Sequence, residues 1–319
     1  MLSRIAESLY WFGRYVERAE HTARLLDVNY HAIVEAPLTT GRSIVAEQWA
    51  PLLASTGSED GFRMHFDRAD SNSVPHWLTL HPDNPVSIRA SLSFARENAR
   101  ALRDRISTEM WEAVNRAYLD LAQSPNLWDE ADLHDYCVAV REASHLLLGI
   151  AHATLLRDDG WSFLRAGHYL ERGGSTVRLL QVRQRGARSD EPVSAGLALH
   201  RAMSLLRSAS AYEAFRKRHH GSPDLASISA FLLLDPTFPR SLLYCCEHLD
   251  EVLHEIGLRH PAESSREAQR LSGWLAAQLR YCGDVAEILD GGGAFPGLDE
   301  LGTRLAGLSD EIGRSYFLQ

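Results

Sequence analysis

Wound at about 100° per residue, the stretch from Phe12 to Leu26 gathers Phe12, Tyr15, Val16, Ala19, Ala23 and Leu26 on one side and Arg14, Glu17, Arg18, His21 and Arg24 on the other. That period predicts an amphipathic helix. Prolines stand at 37, 51, 75, 82, 85, 125, 192, 223, 236, 239, 261 and 296, and each interrupts helical hydrogen bonding because it lacks an amide hydrogen. The proline-free runs 1–36, 86–124, 126–191 and 262–295 are dense in Ala, Leu, Arg and Glu and are expected to be long helices. Asn84-Pro85 resembles a cap with proline at the first helical position, opening a helix over 86–120. Asp158-Asp159-Gly160 divides the third run, and Arg188-Ser189-Asp190-Glu191-Pro192 closes it. No series of alternating apolar and polar positions is long enough to build a sheet. The fold class is therefore all-α.

The pattern also repeats. Residues 13–28, GRYVERAEHTARLLDV, align with residues 167–182, GHYLERGGSTVRLLQV, at an offset of 154 with nine of sixteen identities, where about one is expected by chance. Leu52-Leu53 and Phe62-Arg63 match Leu205-Leu206 and Phe215-Arg216 at 153, and residues 80–87 match 234–241 at 154. Nearly the same offset at three separated places indicates two copies of one helical unit, repeat 1 (1–154) and repeat 2 (155–319). Two such halves can cover their apolar faces against each other, which leads us to expect a helical bundle of pseudo-twofold-related repeats.

Glu17/Glu171, Arg18/Arg172 and Arg24/Arg178 are retained between the copies, whereas Glu20, His21 and Asp27 are not. Two readings stay open. The residues form a solvated face, with pairs such as Glu20–Arg24 and Glu17–His21 each contributing about 0.3–0.5 kcal/mol, or they line an interior or inter-half groove. On the helix after Pro85, steps of seven, four and three bring Arg89, Arg96, Arg100 and Arg103 within about 60° of arc. Leu92, Ala99, Ile106 and Met110 lie beside them. Such arginines suit carboxylates or phosphates at a groove edge. Glu142…His145 and Glu251…His254 have the Glu-x-x-His spacing of di-iron bundles, but they fall at non-equivalent repeat positions and lack the two further glutamates, so no metal is assigned. The Cys137/His134 and Cys245/His248 pairs project along single helices and supply no convincing nucleophile.

Composition narrows the partners. The 319 residues carry 42 acidic and 33 basic side chains, a net charge of -9, which disfavours nucleic acid. The most apolar segment, 146–156, is too short to span a bilayer, and the charged first residues lack the uninterrupted apolar stretch of an export signal. Four cysteines without CxxC spacing suit reduced thiols, so a cytoplasmic protein is expected. Gly291 to Gly297 lacks the Gly-Lys-Ser/Thr of a phosphate cradle and is expected to be a loop.

Residues 10–20, YWFGRYVERAE, together with Asn84-Pro85-Val86-Ser87-Ile88 and Ala95-Arg96-Glu97-Asn98-Ala99-Arg100-Ala101-Leu102-Arg103, resemble the bacterial alpha-E family, an all-helical domain with a Glu-Arg motif. The resemblance extends through Glu109-Met110-Trp111 with Asn115 and through Tyr169-Leu170-Glu171-Arg172 to essentially the whole chain. It implies a gene encoded beside, or fused to, a circularly permuted ATP-grasp protein, often with a transglutaminase-like peptidase and sometimes an ancestral proteasome-like subunit, in a pathway that makes and trims amide linkages. It assigns the motif to Glu17, Arg18, Glu171 and Arg172, and the neighbouring polar helix to Arg96, Asn98, Arg100 and Arg103. Arg24 and Arg178 complete the candidate binding set. No ATP-grasp motif is present, so ATP chemistry would belong to the partner and no cofactor is expected here. Three readings follow: a helical partner of an amide ligase, an enzyme using Glu17 or Glu171 as a general base, and a di-metal helical oxidase.

Overall fold

A computed structural model describes residues 3–34, 49–122, 130–187, 195–260, 265–291 and 295–318. Among these residues there is no strand. The helices are α1 (Ser3–Val34), α2 (Ala50–Thr56), α3 (Glu59–Arg63), α4 (Ser73–Thr79), α5 (Ile88–Ala101), α6 (Thr108–Ala117) continuing into a π-helical turn (Tyr118–Ala122), α7 (Glu130–Thr154), α8 (Asp159–Ala187), α9 (Ala195–Ser208), α10 (Tyr212–Arg218), α11 (Leu225–Leu234), α12 (Leu242–Arg259), α13 (Ser265–Arg280), α14 (Ala286–Asp290) and α15 (Leu298–Tyr316). The chain forms two compact units, one of residues 8–164 and the other of residues 1–7 with 165–319.

The long first helix and the break between α7 and α8 match the sequence pattern. The helix expected over 86–120 is instead two helices. Ser87, not Asn84, is the N-cap of α5, its hydroxyl accepting from the Ala90 amide. After Ala101 the chain turns, and the Ser107 hydroxyl caps α6 by accepting from the Met110 amide. Buried Leu102 and Ile106 hold that turn inward, so tertiary burial ends a helix that neither proline nor glycine interrupts. Similarly, the 262–295 run is divided into α13 and the short α14, whose start is marked by the Asp284 carboxylate accepting from the Ala286 amide. The closing segment 188–192 and residues 292–294 of the glycine-rich joint lie outside the described residues.

In the 8–164 unit, α5 packs on α6 and its π turn, α6 packs on α7, and α2 packs on α3 and α4. Ala19, Ala23 and Leu26 of α1 join Trp49, Leu53, Trp77, Ile88, Leu92 and Val140 in one buried cluster. In the other unit α12 packs on α11 and α13, and α13 on α15. Gly173, at the position aligned with Ala19, lets α8 and α12 approach closely, since a Cβ there would meet Cys245 Cβ and Leu242 Cδ1, each at 3.3 Å.

The segment before each capped helix explains the aligned residues 80–87 and 234–241. Asn84, fully buried, donates from its amide to the Trp77 carbonyl and accepts from the Val86 amide. Asp235 accepts from the amides of Thr237 and Phe238. Ser87 and Ser241 then cap α5 and α12 in the same way.

Candidate functional site

An amphipathic helix on a surface should leave its charged face in water, but α1 does not. Residues 19–27 are buried without interruption, including Glu20, His21, Thr22, Arg24 and Asp27, and Glu17 is only 1% exposed. The expected solvated pair Glu20–Arg24 is therefore an interior ion pair. His145 Nε2 of α7 lies 3.5 Å from the same Glu20 oxygen. Arg18 is half-buried, its guanidinium 5.5 Å from the centre of the Tyr15 ring. Tyr15 in turn meets Phe94 of α5 at 5.1 Å.

On α8 Glu171 is 3% exposed, and Arg178 lies 3.8 Å from its carboxylate while donating to the Ser175 hydroxyl at 3.1 Å. Arg172 is half-buried. Its field opposes the upward shift that burial imposes on the Tyr244 hydroxyl of α12, where Tyr244 and Tyr169 flank His248 with ring centres at 4.1 and 5.3 Å.

The arginine arc after Pro85 is broken by the turn that follows Ala101. Arg89, Arg96, Asn98 and Arg100 remain on α5, but Arg103 does not. Arg103 is exposed, with its guanidinium 4.9 Å from the Trp111 ring centre. Arg96 is anchored: Nε donates to Asn115 Oδ1 at 2.8 Å, and the guanidinium stacks 4.7 Å from Tyr118 of the π turn. Asn98 bonds the Phe94 carbonyl of its own helix. Arg100, 63% exposed on its side chain, pairs with Glu97 at 2.6 Å. Arg96→Ala should therefore cost about 1–2 kcal/mol through lost stacking and hydrogen bonding. Arg100→Ala should change stability by less than about 0.5 kcal/mol. Thermal unfolding of the two variants side by side checks the contrast.

A groove of about 350 Å³ opens between α6 and α7, with Ala113, Ala117, Ala139 and Ala143 among its apolar lining and Glu109, Glu112, Arg116 and Asp120 as its charged residues. None of the motif residues lines it. A general base must touch its substrate, so this groove gives Glu17 and Glu171 no such access.

The chain matches, over residues 1–317, the family model Alpha-E, described as "a predicted alpha-helical domain with a conserved ER motif". The chain belongs to the Alpha-E family. It contains two Glu-Arg dipeptides, Glu17-Arg18 and Glu171-Arg172, and in both the glutamate is buried and the arginine half-buried. Two relatives of this Alpha-E chain, "Uncharacterized protein Mb2597" of Mycobacterium bovis and "Uncharacterized protein MT2643" of Mycobacterium tuberculosis, are each 32% identical to it over 270 residues, 79% of this chain and 30% of the relative. The chain thus spans about a third of the length of the curated relatives it matches. No solved structure matches it significantly. No helix among the described residues is long and apolar enough to cross a membrane, and all four cysteines are free thiols.

Among the described residues, neither Glu-x-x-His pair belongs to a group of three or more converging metal-ligating side chains. His145 faces Glu20, and His254 faces its own-helix Asp250 at 3.3 Å. A different cluster escaped the sequence reading. Asp27 and His31, one turn apart on α1, meet His134 and Arg141 of α7. The i, i+4 spacing of Asp27 and His31 was its only local signal, because the helix that completes the cluster lies more than a hundred residues further on.

Proposed function

We propose that this Alpha-E chain is a non-catalytic helical partner of an ATP-grasp-type amide ligase, binding either the ligase or its carboxylate-bearing peptide or amino-acid substrate. One observation carries the reading: the motif acids are inside, while Arg96, Arg100, Arg103 and Arg178 reach solvent. Buried carboxylates such as Glu171 are suited to hold guanidiniums in place, and part-exposed guanidiniums are suited to meet carboxylates. On the reading that residues 1–154 and 155–319 are two copies of one unit, each copy would present its own Glu-Arg helix. The length of the relatives also supports a shared role, since about 70% of each lies outside the matched region, leaving room for domains with which this one would work.

Co-purification with a circularly permuted ATP-grasp protein encoded beside it is the test. A complex should form, the ligase rate or product should change on adding the chain, and Arg100→Ala combined with Arg103→Ala should weaken the complex about tenfold while leaving the fold intact. No complex, together with an unaltered rate and product, removes the proposal. A transglutaminase-like peptidase is the second partner to assay in the same way.

A further inference from the structure

Three donor atoms converge at the junction of α1 and α7. His134 Nδ1 lies 2.6 Å from Asp27 Oδ1 and 3.2 Å from His31 Nε2, and His31 Nε2 lies 3.5 Å from the same Asp27 oxygen. Bonds of about 2.0–2.1 Å to one ion put neighbouring ligand atoms about 2.8–3.4 Å apart in octahedral or tetrahedral arrangements. The observed triangle brackets that range. At most one proton, on His134 Nδ1, can point at both Asp27 and His31 Nε2 when His31 is an acceptor. If His134 Nδ1 accepts from His31 instead, it presents a lone pair to a carboxylate 2.6 Å away. A cation among them would use the lone pairs of all three atoms at once.

The surroundings fit such a site. Asp27 is buried, and its second oxygen is held by Arg141 NH1 at 2.8 Å, which fixes the carboxylate plane and leaves Oδ1 facing the histidines. The histidine side chains are 44% and 40% exposed, leaving open positions for water. Cys137, one turn beyond His134, is fully buried, and its thiol is not among the donor atoms that converge with Asp27, His31 and His134.

The other unit supplies an internal comparison. At the positions aligned with Asp27 and His31, α8 carries Gln181 and Arg185. Both donate to one carboxylate oxygen of Asp299 on α15, at 3.1 and 3.2 Å. There the carboxylate meets N–H donors with protons to give. In the 8–164 unit the corresponding helix offers a carboxylate and a ring nitrogen to another ring nitrogen.

We infer that Asp27, His31 and His134 form a binding site for a divalent first-row transition ion, a two-histidine, one-carboxylate set with solvent-open positions. This set suits zinc, cobalt or iron(II) rather than magnesium or calcium, which prefer all-oxygen ligands. The site is separate from the Glu-Arg residues and stands whether or not the chain partners a ligase.

The test is titration of the chelator-treated full chain with Co²⁺, read by visible absorption, with bound metal counted after equilibrium dialysis. One ion per chain should bind with d–d bands of nitrogen and oxygen ligation. His31→Ala, His134→Ala and Asp27→Asn should each weaken it at least tenfold, with helical circular dichroism retained in the two histidine variants. The trio of His65, His81 and Asp83, of which His65 and Asp83 are exposed, is the internal control, and His65→Ala should leave the tight ion in place. Absence of binding, binding unchanged in both histidine variants, or binding lost only with His65→Ala overturns the assignment.

Discussion

A chain carrying Glu20→Ala should be about 3–5 kcal/mol less stable than the parent, because removing one member of a buried ion pair leaves the other charge in a poorly solvated interior. Glu20 is almost fully buried, it contacts the Arg24 guanidinium, and His145 approaches the same oxygen. A surface pair at the same i, i+4 spacing contributes about a tenth as much. Urea unfolding followed by helical circular dichroism measures the difference, with an unchanged m-value indicating that the midpoint shift is a change in stability. A loss below about 1 kcal/mol would return this pair to the solvated face that the sequence pattern allows. Glu20→Gln, which keeps an acceptor without the charge, should fall between the two.

Asp235→Ala is expected to cost about 2–4 kcal/mol, since hydrogen bonds to a charged acceptor contribute more than neutral ones and the amides left behind are poorly hydrated. One oxygen of this buried side chain accepts the Thr237 amide at 2.8 Å, the Phe238 amide at 2.9 Å and the Thr237 hydroxyl at 2.9 Å. The other pairs with Arg218 at 2.9 Å. The Asp235 carbonyl also accepts the hydroxyl of Ser241, which caps α12, so the damage should spread to the start of that helix. Asp235→Asn should recover most of the loss, because its amide oxygen keeps an acceptor for the Thr237 and Phe238 N–H groups. Chemical unfolding of the three proteins in parallel gives the ranking, and an Ala variant as stable as the Asn variant would contradict it.

The Glu-Arg helices were partly legible in the sequence. The 3.6-residue period of α1 and the retained Glu17/Glu171 and Arg18/Arg172 single out the two Glu-Arg dipeptides. Burial of the charged face was not legible, because a moment computed along one helix treats every charge as facing water, whereas Glu20 and Arg24 satisfy each other inside. The arginine arc failed for a related reason. The arc requires a single helix through residues 102–107, but there buried Leu102 and Ile106 and the Ser107 cap redirect the chain and take Arg103 off the α5 face. Ser107 ahead of Glu109 was a readable start signal, although weaker than a proline.

Local spacing alone determined the all-α class, the length of α1, the break before α8 and the recurrence at an offset of 154, since each depends on contacts within a few turns or on direct comparison of residues. Tertiary packing decided which charges are interior, which arginines stay anchored, and that His134 reaches Asp27 and His31 from another helix. Those outcomes depend on which helix faces which, and a side chain's environment across a helix interface is set by residues far away in the chain.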